Sequence, residues 1–236
     1  MTALPTRDRG RAHDAGHRSR SSRPWSTRFR YGCGMAATAT REAYLETGLT
    51  VLADSGYGSL KLAEVCKRLG VTTGSFYHFF KNWSDYTSQL IEHWYTSRTE
   101  SEMSAARFEP DPQQRIDGLI EYGLALPHGA ESAIRTWSAI DPAVRRVQED
   151  ADRARYDVVF DAVLELLDDR VIAHRYASWA LYLLTGYEQT TLPKDVDALK
   201  WAARQITTDL SREVRRHRRE QRAMAVEKSR ADESRD

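Results

Sequence analysis

The chain has 236 residues, 41% of them hydrophobic, and its 35 basic residues nearly balance its 34 acidic ones. A chain of this length forms one large domain or two small ones and can bury a substantial core. The near-neutral charge excludes a bulk electrostatic argument for nucleic-acid binding, so only local features can support that function. No run of about 18 apolar residues is present, which excludes a membrane-spanning helix. The two cysteines are too few for a disulfide framework and favour a soluble protein of the reducing cytoplasm.

The first 37 residues differ from the rest of the chain, because they are rich in Arg, Ser, Gly and His and have no hydrophobic period. Eight arginines and two aspartates fall within residues 1–34, which leaves 27 basic and 32 acidic residues for the remainder. Such a segment cannot bury enough apolar surface to offset its ordering entropy, so we predict that 1–37 is disordered. Two origins stay open: an upstream start codon chosen in error, because Met35 directly precedes the first helical pattern, or a basic arm that contacts a nucleic-acid backbone. His13 and His17 lack a third ligand, so no metal site is predicted.

From Thr40 onward the chain has the 3.6-residue period of amphipathic helices. A first helix ends at Gly56, which is suited to a left-handed C-cap, and a short second helix is closed by Gly70. A third short helix follows Thr72. Further helices are predicted at about 84–104, 113–125, 130–138, 142–168, 172–188 and 195–220. No alternating strand pattern exceeds a few residues, so the predicted fold class is all-α.

The segment from Leu62 to Phe80 contains two short helices joined by a turn around Gly70, which is the layout of a helix-turn-helix. In that motif the second helix enters the major groove of DNA. On a helical wheel Phe76 and Phe80 lie together, where they can pack on the preceding helix, while Gly74, Ser75 and His78 point away from the core.

The outward side of this second helix carries groups that suit DNA. Thr72 is a good N-cap, and the helix end that it begins offers unpaired N–H groups to a phosphate. Short polar side chains can reach base edges, Gly74 allows close approach to the duplex, and the Tyr77 phenol can bond a phosphate oxygen. The predicted DNA-binding residues are Lys61, Thr72, Thr73, Gly74, Ser75, Tyr77, His78 and Lys81.

The run Gly70-Val71-Thr72-Thr73-Gly74-Ser75-Phe76-Tyr77-His78-Phe79-Phe80 resembles the DNA-binding signature of the tetracycline-repressor-like (TetR) family. The resemblance is specific over about 40–95, and beyond that range only the length and helical character agree. Cys66 replaces the usual Ala, either as a buried inert thiol or as a redox sensor. Trp83 stands where the family most often has a lysine that contacts phosphate. Its indole either donates an N–H to DNA or simply covers the end of Phe80, and Lys81 is a nearby source of charge.

The resemblance implies an N-terminal three-helix head with a helix-turn-helix and a C-terminal helical domain that binds an effector and dimerises. The corresponding division is a disordered basic leader (1–37), a DNA-binding domain (38–83), a ligand-binding and dimerisation domain (84–220) and a disordered tail (221–236). The effector pocket that the resemblance implies is predicted to involve Trp94, Tyr122, Arg135, Trp137 and Trp179.

A dimer interface is predicted from a seam in the last long helix, where apolar residues from Val196 to Leu210 step by three and four as in a coiled coil. In the family the last two long helices pair with their symmetry mates as a four-helix bundle. The predicted interface residues are Tyr176, Ala180, Leu184, Leu199, Ala203, Ile206 and Leu210.

These features predict a dimeric transcriptional repressor that leaves a palindromic operator when a small-molecule effector binds. An activator, or a constitutive regulator without an effector, is the alternative that keeps the same DNA-binding head. A helical enzyme is the rival from another class, but the sequence has no Ser/His/Asp set, phosphate-binding loop or paired metal ligands. We therefore predict neither an enzymatic activity nor a cofactor.

Overall fold

The computed structural model of the protein describes residues 40–233. The predicted leader, with its two histidines and Cys33, lies outside the described residues. Within the described range the chain is helical and has no β-strand, which confirms the all-α fold class. The helices are α1 Arg41–Ser55, α2 Leu62–Leu69, α3 Thr73–Phe76, α4 Trp83–Tyr95, α5 Ser101–Arg107, α6 Pro112–Ala125, α7 His128–Ser138, α8 Pro142–Leu167, α9 Arg170–Gln189 and α10 Val196–Glu233. None of these helices is both long and apolar enough to cross a membrane.

The ends of the first two helices follow local capping chemistry. Thr40 begins α1, and its hydroxyl oxygen accepts the N–H of Ala43 at 3.1 Å. Gly70 closes α2 in the predicted left-handed conformation, with φ 71° and ψ 31°. Gly56 also has a positive φ of 72°, but its ψ of 176° lies outside the left-handed helical region, so the predicted cap conformation is wrong there. Both positions still favour glycine, because a β-carbon is strained at positive φ.

Aspartates cap three of the longer helices. Asp111, Asp141 and Asp169 each accept a backbone N–H two residues further on, at 2.8, 2.9 and 2.8 Å, where α6, α8 and α9 begin. A proline follows in the first turn of α6 and α8, where its missing N–H leaves no donor unsatisfied. Pro112 and Pro142 therefore each mark the start of a helix.

The long helix predicted over 84–104 is interrupted by a π-helical segment, Thr96–Glu100, between α4 and α5. The hydroxyl of Thr96 donates to the Glu92 carbonyl at 2.9 Å, and that of Ser97 donates to the His93 carbonyl at 2.5 Å. These hydroxyls compete with backbone N–H groups for carbonyl oxygens, which loosens the helical ladder. The chain stays helical through Arg107, but its hydrogen-bond register changes at the π segment.

Two clusters of buried side chains form the core. The first joins the head to the body of the protein, because it contains Tyr44 of α1, Phe80, Trp94 of α4, Ile134 of α7 and Ala151 of α8. The second lies further along α8 and is built with residues of α6, α9 and α10. The head and the body therefore share one continuous core at their junction.

The predicted dimer seam on α10 lies inside the protomer. Leu199, Ala203, Ile206 and Leu210 are between 1% and 7% exposed, and Leu210 packs in the second core cluster with residues of α6 and α8. A side chain that is already covered by its own chain has almost no surface left for a partner, so these four residues offer little area for a dimer contact. Tyr176 is likewise buried and donates its hydroxyl to Asp209 on α10 at 2.7 Å. Ala180 and Leu184 line an inner cavity described below.

The last helix extends further than the sequence predicts, because α10 runs to Glu233 through residues assigned to a disordered tail. The segment after Val214 is rich in Arg, Glu, Ala and Lys, all of which favour helix. Its side chains are largely exposed as far as residue 230. The loss of the apolar period after Val214 therefore marks where α10 leaves the core, and not where the helix ends.

Phe80 tests the packing of the head. Its ring is 1% exposed and contacts Tyr44, Phe76 and Tyr86, with ring centroids 5.7, 5.0 and 5.0 Å away. We expect Phe80→Ala to lower the free energy of unfolding by about 3–5 kcal/mol, because it leaves a cavity among rings that cannot collapse fully. The measurement is equilibrium urea unfolding. Phe108→Ala is the control, since that ring is 86% exposed, and its effect should stay within about 0.5 kcal/mol. Equal unfolding curves for the two variants would contradict this packing.

Candidate nucleic-acid interface and inner cavity

Helices α2 and α3 form a helix-turn-helix. We define residues 72–80 as the recognition segment, which contains α3 and the turn that follows it. Helix α3 contains only Thr73–Phe76, and the chain continues in a tight turn in which the Phe79 N–H donates to the Phe76 carbonyl at 3.0 Å. A helix of four residues is not stable by itself, so packing must hold it. Phe76, which is fully buried, supplies that packing against Tyr44 and Tyr86 at centroid distances of 5.8 and 5.5 Å.

The opposite side of the recognition segment faces solvent. Tyr77 is 59% exposed, and the other predicted contact residues Lys61, Thr72, Thr73, Gly74, His78 and Lys81 are also exposed. Thr72 occupies the N-cap position of α3, but its side chain makes no capping bond, which leaves its hydroxyl to other partners. The segment thus presents short polar groups, one phenol and one imidazole on a base of buried rings.

Ser75 is the exception among the predicted DNA-binding residues. Its hydroxyl donates to the Thr72 carbonyl at 2.9 Å and lies 2.5 Å from the hydroxyl of Tyr44. The side chain is half-buried between α1 and α3. The predicted outward direction of Ser75 is therefore wrong, because its hydroxyl bonds to Tyr44 of α1 and to the Thr72 carbonyl. These bonds connect α3 to α1.

Gly74 has no structural need to be glycine. A β-carbon built at Gly74 would find one neighbour within the described residues, the Thr72 hydroxyl at 3.7 Å, which is ordinary van der Waals contact. Its φ lies outside the positive range that favours glycine. A bare backbone on an exposed helix is what a close approach from outside the protein requires.

The two departures from the family signature have structural explanations. Trp83 begins α4, where its indole packs on Phe76 and Tyr86 at centroid distances of 6.2 and 4.9 Å. The packing thus supports a covering role for Trp83. The rings that it covers are those of Phe76 and Tyr86, and not that of Phe80. Cys66 is 3% exposed, and burial raises the pKa of its thiol. A buried protonated thiol is poorly reactive, as expected for a packing residue.

A buried polar cluster lies between the two core clusters. The Arg155 guanidinium of α8 donates through Nη2 to Glu131 of α7 at 2.9 Å and to the Thr99 hydroxyl in the π segment at 3.2 Å. Glu131 also accepts the indole N–H of Trp94 on α4 at 2.8 Å. Burial tends to lower the pKa of Arg155, but the charge of Glu131 outweighs this effect and keeps the pKa above its usual range. The Arg155 guanidinium is therefore charged at neutral pH.

Tyr122 of α6 connects this cluster to the π segment. Its hydroxyl donates to the backbone carbonyl of Arg98 and lies 3.5 Å from Nη2 of Arg155. Burial raises the pKa of Tyr122, so its hydroxyl stays protonated and can donate.

An inner cavity of about 100 Å³ opens beside Arg155 and Tyr122. Its walls come from α5, α6, α8, α9 and α10, and nearly all of them are apolar. The remaining wall residues are Met103, Leu119, Ile120, Gly123, Leu124, Ala177, Ala180, Leu181, Leu183, Leu184, Leu199, Ala203 and Ile206.

Of the five predicted pocket residues, the structure brings only Tyr122 to this cavity. Trp94 is fully buried against Glu131. Arg135 is held by Asp152 at 2.7 Å and Glu188 at 3.0 Å. The other two predicted residues do not line this cavity either.

Trp137 and Trp179 lie elsewhere because each faces a different neighbour. Trp137 stacks on Tyr57 at 5.1 Å, where α7 meets the head. Trp179 is 40% exposed on the outer side of α9. A helical wheel predicts which face of a helix is covered. It does not predict whether a large aromatic ring on that helix lies in the core, at a junction between helices or on the surface.

Arg155 is the cavity residue that sequence reasoning missed, although a signal was present. The buried residues of α8 follow a period of four and three, and Arg155 occupies one of those positions in the series Val144, Gln148, Ala151, Arg155, Val158 and Ala162. An arginine at a core position of an amphipathic helix is unusual unless it is paired. That pattern alone indicates a buried, partnered charge.

The fold and the exposed recognition segment define a helix-turn-helix protein of the all-helical class. Residues 45–83 match the model of bacterial regulatory proteins of the tetR family. The transcriptional regulator AcuR of Cereibacter sphaeroides is 38% identical over 56 residues, which are 24% of this chain and 26% of that protein. The chain thus spans about a quarter of the length of this curated relative.

Solved structures match over most of the described chain. A TetR-family regulator from Agrobacterium tumefaciens has a TM-score of 0.59 at 14% identity, covering 72% of this chain and 96% of that one. The transcriptional regulator FadR from Bacillus subtilis, solved in complex with stearoyl-CoA, has a TM-score of 0.54 at 12% identity, with 71% and 98% covered. Residues 45–83 are thus similar to the DNA-binding region of tetR-type regulators, and the structural likeness extends the shared all-helical fold to the C-terminal helices.

Gly74 gives a test of the interface that leaves the protein intact. We expect Gly74→Ala to keep or slightly raise the free energy of unfolding, by up to about 1 kcal/mol, because alanine favours helix and its β-carbon has room. Binding to the operator should nevertheless weaken about tenfold, since the added methyl separates the backbone from the duplex.

The matched control is Gly118→Ala on α6, where a β-carbon also has room because it meets nothing within 4 Å. Both variants are compared by thermal melting and by mobility-shift titration of a selected operator. Unchanged operator affinity for Gly74→Ala would mean that the recognition segment does not approach DNA at this residue.

Proposed function

We propose that this protein is a homodimeric transcriptional repressor that reads a palindromic operator with its recognition segment and releases it when a small molecule enters the inner cavity. The observation that carries the proposal is the exposed polar side of residues 72–78, held on buried rings and bare at Gly74. The match of residues 45–83 to a family of bacterial regulatory proteins supports it.

DNA reading requires polar groups that reach out from a rigid base. Tyr77 and His78 project from the recognition segment on its exposed side, and Lys61 and Lys81 lie exposed near it in the sequence. We assign Tyr77 and the two lysines to phosphate contacts and Thr73 and His78 to base edges, because charged and phenolic groups suit the backbone whereas short polar groups suit the groove.

Release by a small molecule requires a physical connection between the cavity and the head. Arg155 and Tyr122 at the cavity bond to Thr99 and to the Arg98 carbonyl, both in the π segment that continues α4. Helix α4 in turn carries Trp83 and Tyr86 beneath the recognition segment. A ligand that shifts the π segment would therefore tilt the helix on which the head rests. The stearoyl-CoA complex of FadR supports ligand binding within this fold.

The dimer is proposed to use the outer sides of α9 and α10. Large aromatic residues stand exposed there, with Tyr182 at 71%, Trp201 at 62% and Trp179 at 40%. Exposed tryptophans and tyrosines are enriched at the centres of protein interfaces. A two-fold dimer through these helices would present two recognition segments to two half-sites, and the operator half-sites would then lie about one helical turn apart, roughly 34–36 Å.

The experiment that tests DNA reading is in-vitro selection of bound duplexes, followed by titration with variants. Tyr77→Phe and His78→Ala should each weaken binding to the selected operator by about 1–3 kcal/mol, because each removes one contact. Helical content and melting temperature should not change, since both side chains are exposed.

His174→Ala is the control for the imidazole, because His174 is exposed on α9 and bonds only within that region, to Tyr156 and Ser178. Selection that enriches no sequence, or full affinity in both head variants, would overturn the proposed function. If selection enriches an operator but no metabolite extract releases the protein from it, the protein is a constitutive regulator.

The dimer interface is tested by placing a charge at Trp201. Trp201→Glu should weaken self-association about 30-fold, as expected for loss of an interface tryptophan worth about 2 kcal/mol, and should keep the protomer folded. Ala203→Glu is the contrast, because Ala203 faces the protomer interior and is 7% exposed. It should instead lower the unfolding temperature. Sedimentation velocity and circular dichroism distinguish the two, and a Trp201→Glu protein that stays dimeric would move the interface elsewhere.

A further inference from the structure

Arg155, which lines the inner cavity, has N–H groups that lack a hydrogen-bond acceptor. Arg155 is 6% exposed, and its Nε and Nη1 atoms are buried without a hydrogen-bond partner in the part of the chain that the structure describes. Its third nitrogen, Nη2, serves Glu131 and Thr99. A buried guanidinium with two unpaired nitrogens is costly, because those N–H groups lost water without gaining an acceptor.

The side chains that contact Arg155 already use their oxygens or have none. Glu131 accepts from Nη2 and from the Trp94 indole, and Tyr122 donates its proton to the Arg98 carbonyl. The face of the Trp94 ring lies 5.8 Å from the guanidinium carbon, which offers a cation–π contact and no oxygen. None of these three neighbours therefore offers a free oxygen to Nε or Nη1 of Arg155.

The cavity itself indicates what kind of molecule brings the acceptor. Among the described residues that line it, Arg155 is the single charged one, and the others apart from Tyr122 are apolar or glycine. An arginine with two unpaired N–H groups on an otherwise apolar wall favours a ligand with an acceptor end on an apolar body. The volume of about 100 Å³ is below the engineered cavity of about 150 Å³ that holds benzene, so the ligand has few heavy atoms.

We propose that the inner cavity binds a short-chain carboxylate, whose oxygens accept from the unpaired N–H groups of Arg155 while its alkyl chain lies among Leu119, Ala180 and Leu184. Guanidinium donors prefer carboxylate oxygens over neutral acceptors because the bond is charge-assisted. This inference rests on the proposed function, since it gives the chemical class of the effector for the same cavity.

The test is calorimetric titration of the full-length protein, free of DNA, with butyrate, 1-butanol and butylamine at neutral pH. The three probes share an alkyl chain and differ in the charge of the end group. Butyrate should bind at least tenfold tighter than butanol, and butylamine should not bind. Arg155→Lys should weaken butyrate binding about tenfold while it keeps a charge beside Glu131. Arg153→Lys, an exposed position on the same helix, should leave binding unchanged.

A second variant covers the case in which Arg155→Lys does not fold. Ala180→Leu should abolish butyrate binding by filling the cavity, because Ala180 lines it. Ala143→Leu, an exposed alanine on α8, is its control. Butanol that binds as tightly as butyrate, or butyrate affinity that survives both Arg155→Lys and Ala180→Leu, would overturn the proposal.

The outcome for DNA is measured separately, so the two proposals fail in different ways. Butyrate that binds through Arg155 without changing operator affinity would support the ligand class and overturn release by this cavity. Loss of operator binding in the unliganded protein would overturn the proposed function while the calorimetric result stands.

Discussion

The ion pair between Glu131 and Arg155 is the constraint on which the arrangement of the helices depends. Both side chains are buried, and their 2.9 Å bond lies between the two apolar clusters of the core. Their other partners, Trp94, Thr99 and Tyr122, come from α4, the π segment and α6. Burial of two charges carries a desolvation free energy that their mutual attraction offsets only when the geometry is good. The pair therefore adds little to the net stability of the fold. Removal of one partner would cost about 3–5 kcal/mol, because a buried charge would remain uncompensated. The pair therefore determines the relative positions of α7 and α8 with α4 and α6 more than it stabilises the fold.

The head is fastened to this framework through α1 and α7. A β-carbon at Gly129 would lie 2.3 Å from the Ala53 carbonyl oxygen, so the two helices touch backbone to backbone. The stacked rings of Tyr57 and Trp137 close the same junction at 5.1 Å. Contact this close leaves little room for sliding, since packed interiors resist compression. The head and the N-terminal part of the body consequently behave as one packed unit, and motion between them must involve α7 or α4.

The sequence predicts most helices here, because their pattern depends on residues within a few turns of each other. It predicts the cap at Gly70, but not the conformation at Gly56 or the missing side-chain bond at Thr72. It also predicts the helix-turn-helix, whose signature is local and specific. It does not predict which element covers a buried face: Leu199, Ala203 and Ile206 repeat as a coiled coil does, yet the protomer itself covers them. Ser75 shows the same limit at the site, because its direction depends on where α3 ends and on Tyr44, 31 residues away. The cavity residues depend on five helices meeting, which no local pattern encodes.

The orientation of the recognition segment is set by residues that lie outside it. Helix α3 has four residues and is held by packing and by the bond between Ser75 and Tyr44, so α1 determines how it is presented. Helix α1 rests on α7, which carries Glu131, and Glu131 bonds to the arginine at the cavity. Under the proposed function, a ligand that takes up the free nitrogens of Arg155 changes the forces on Glu131 and on the π segment at once. Glu131 is connected to the head through α7 and α1, and the π segment is connected to it through α4. Because the two supports share one buried arginine, they would shift together, and a small displacement at the cavity would rotate the recognition segment without unfolding it.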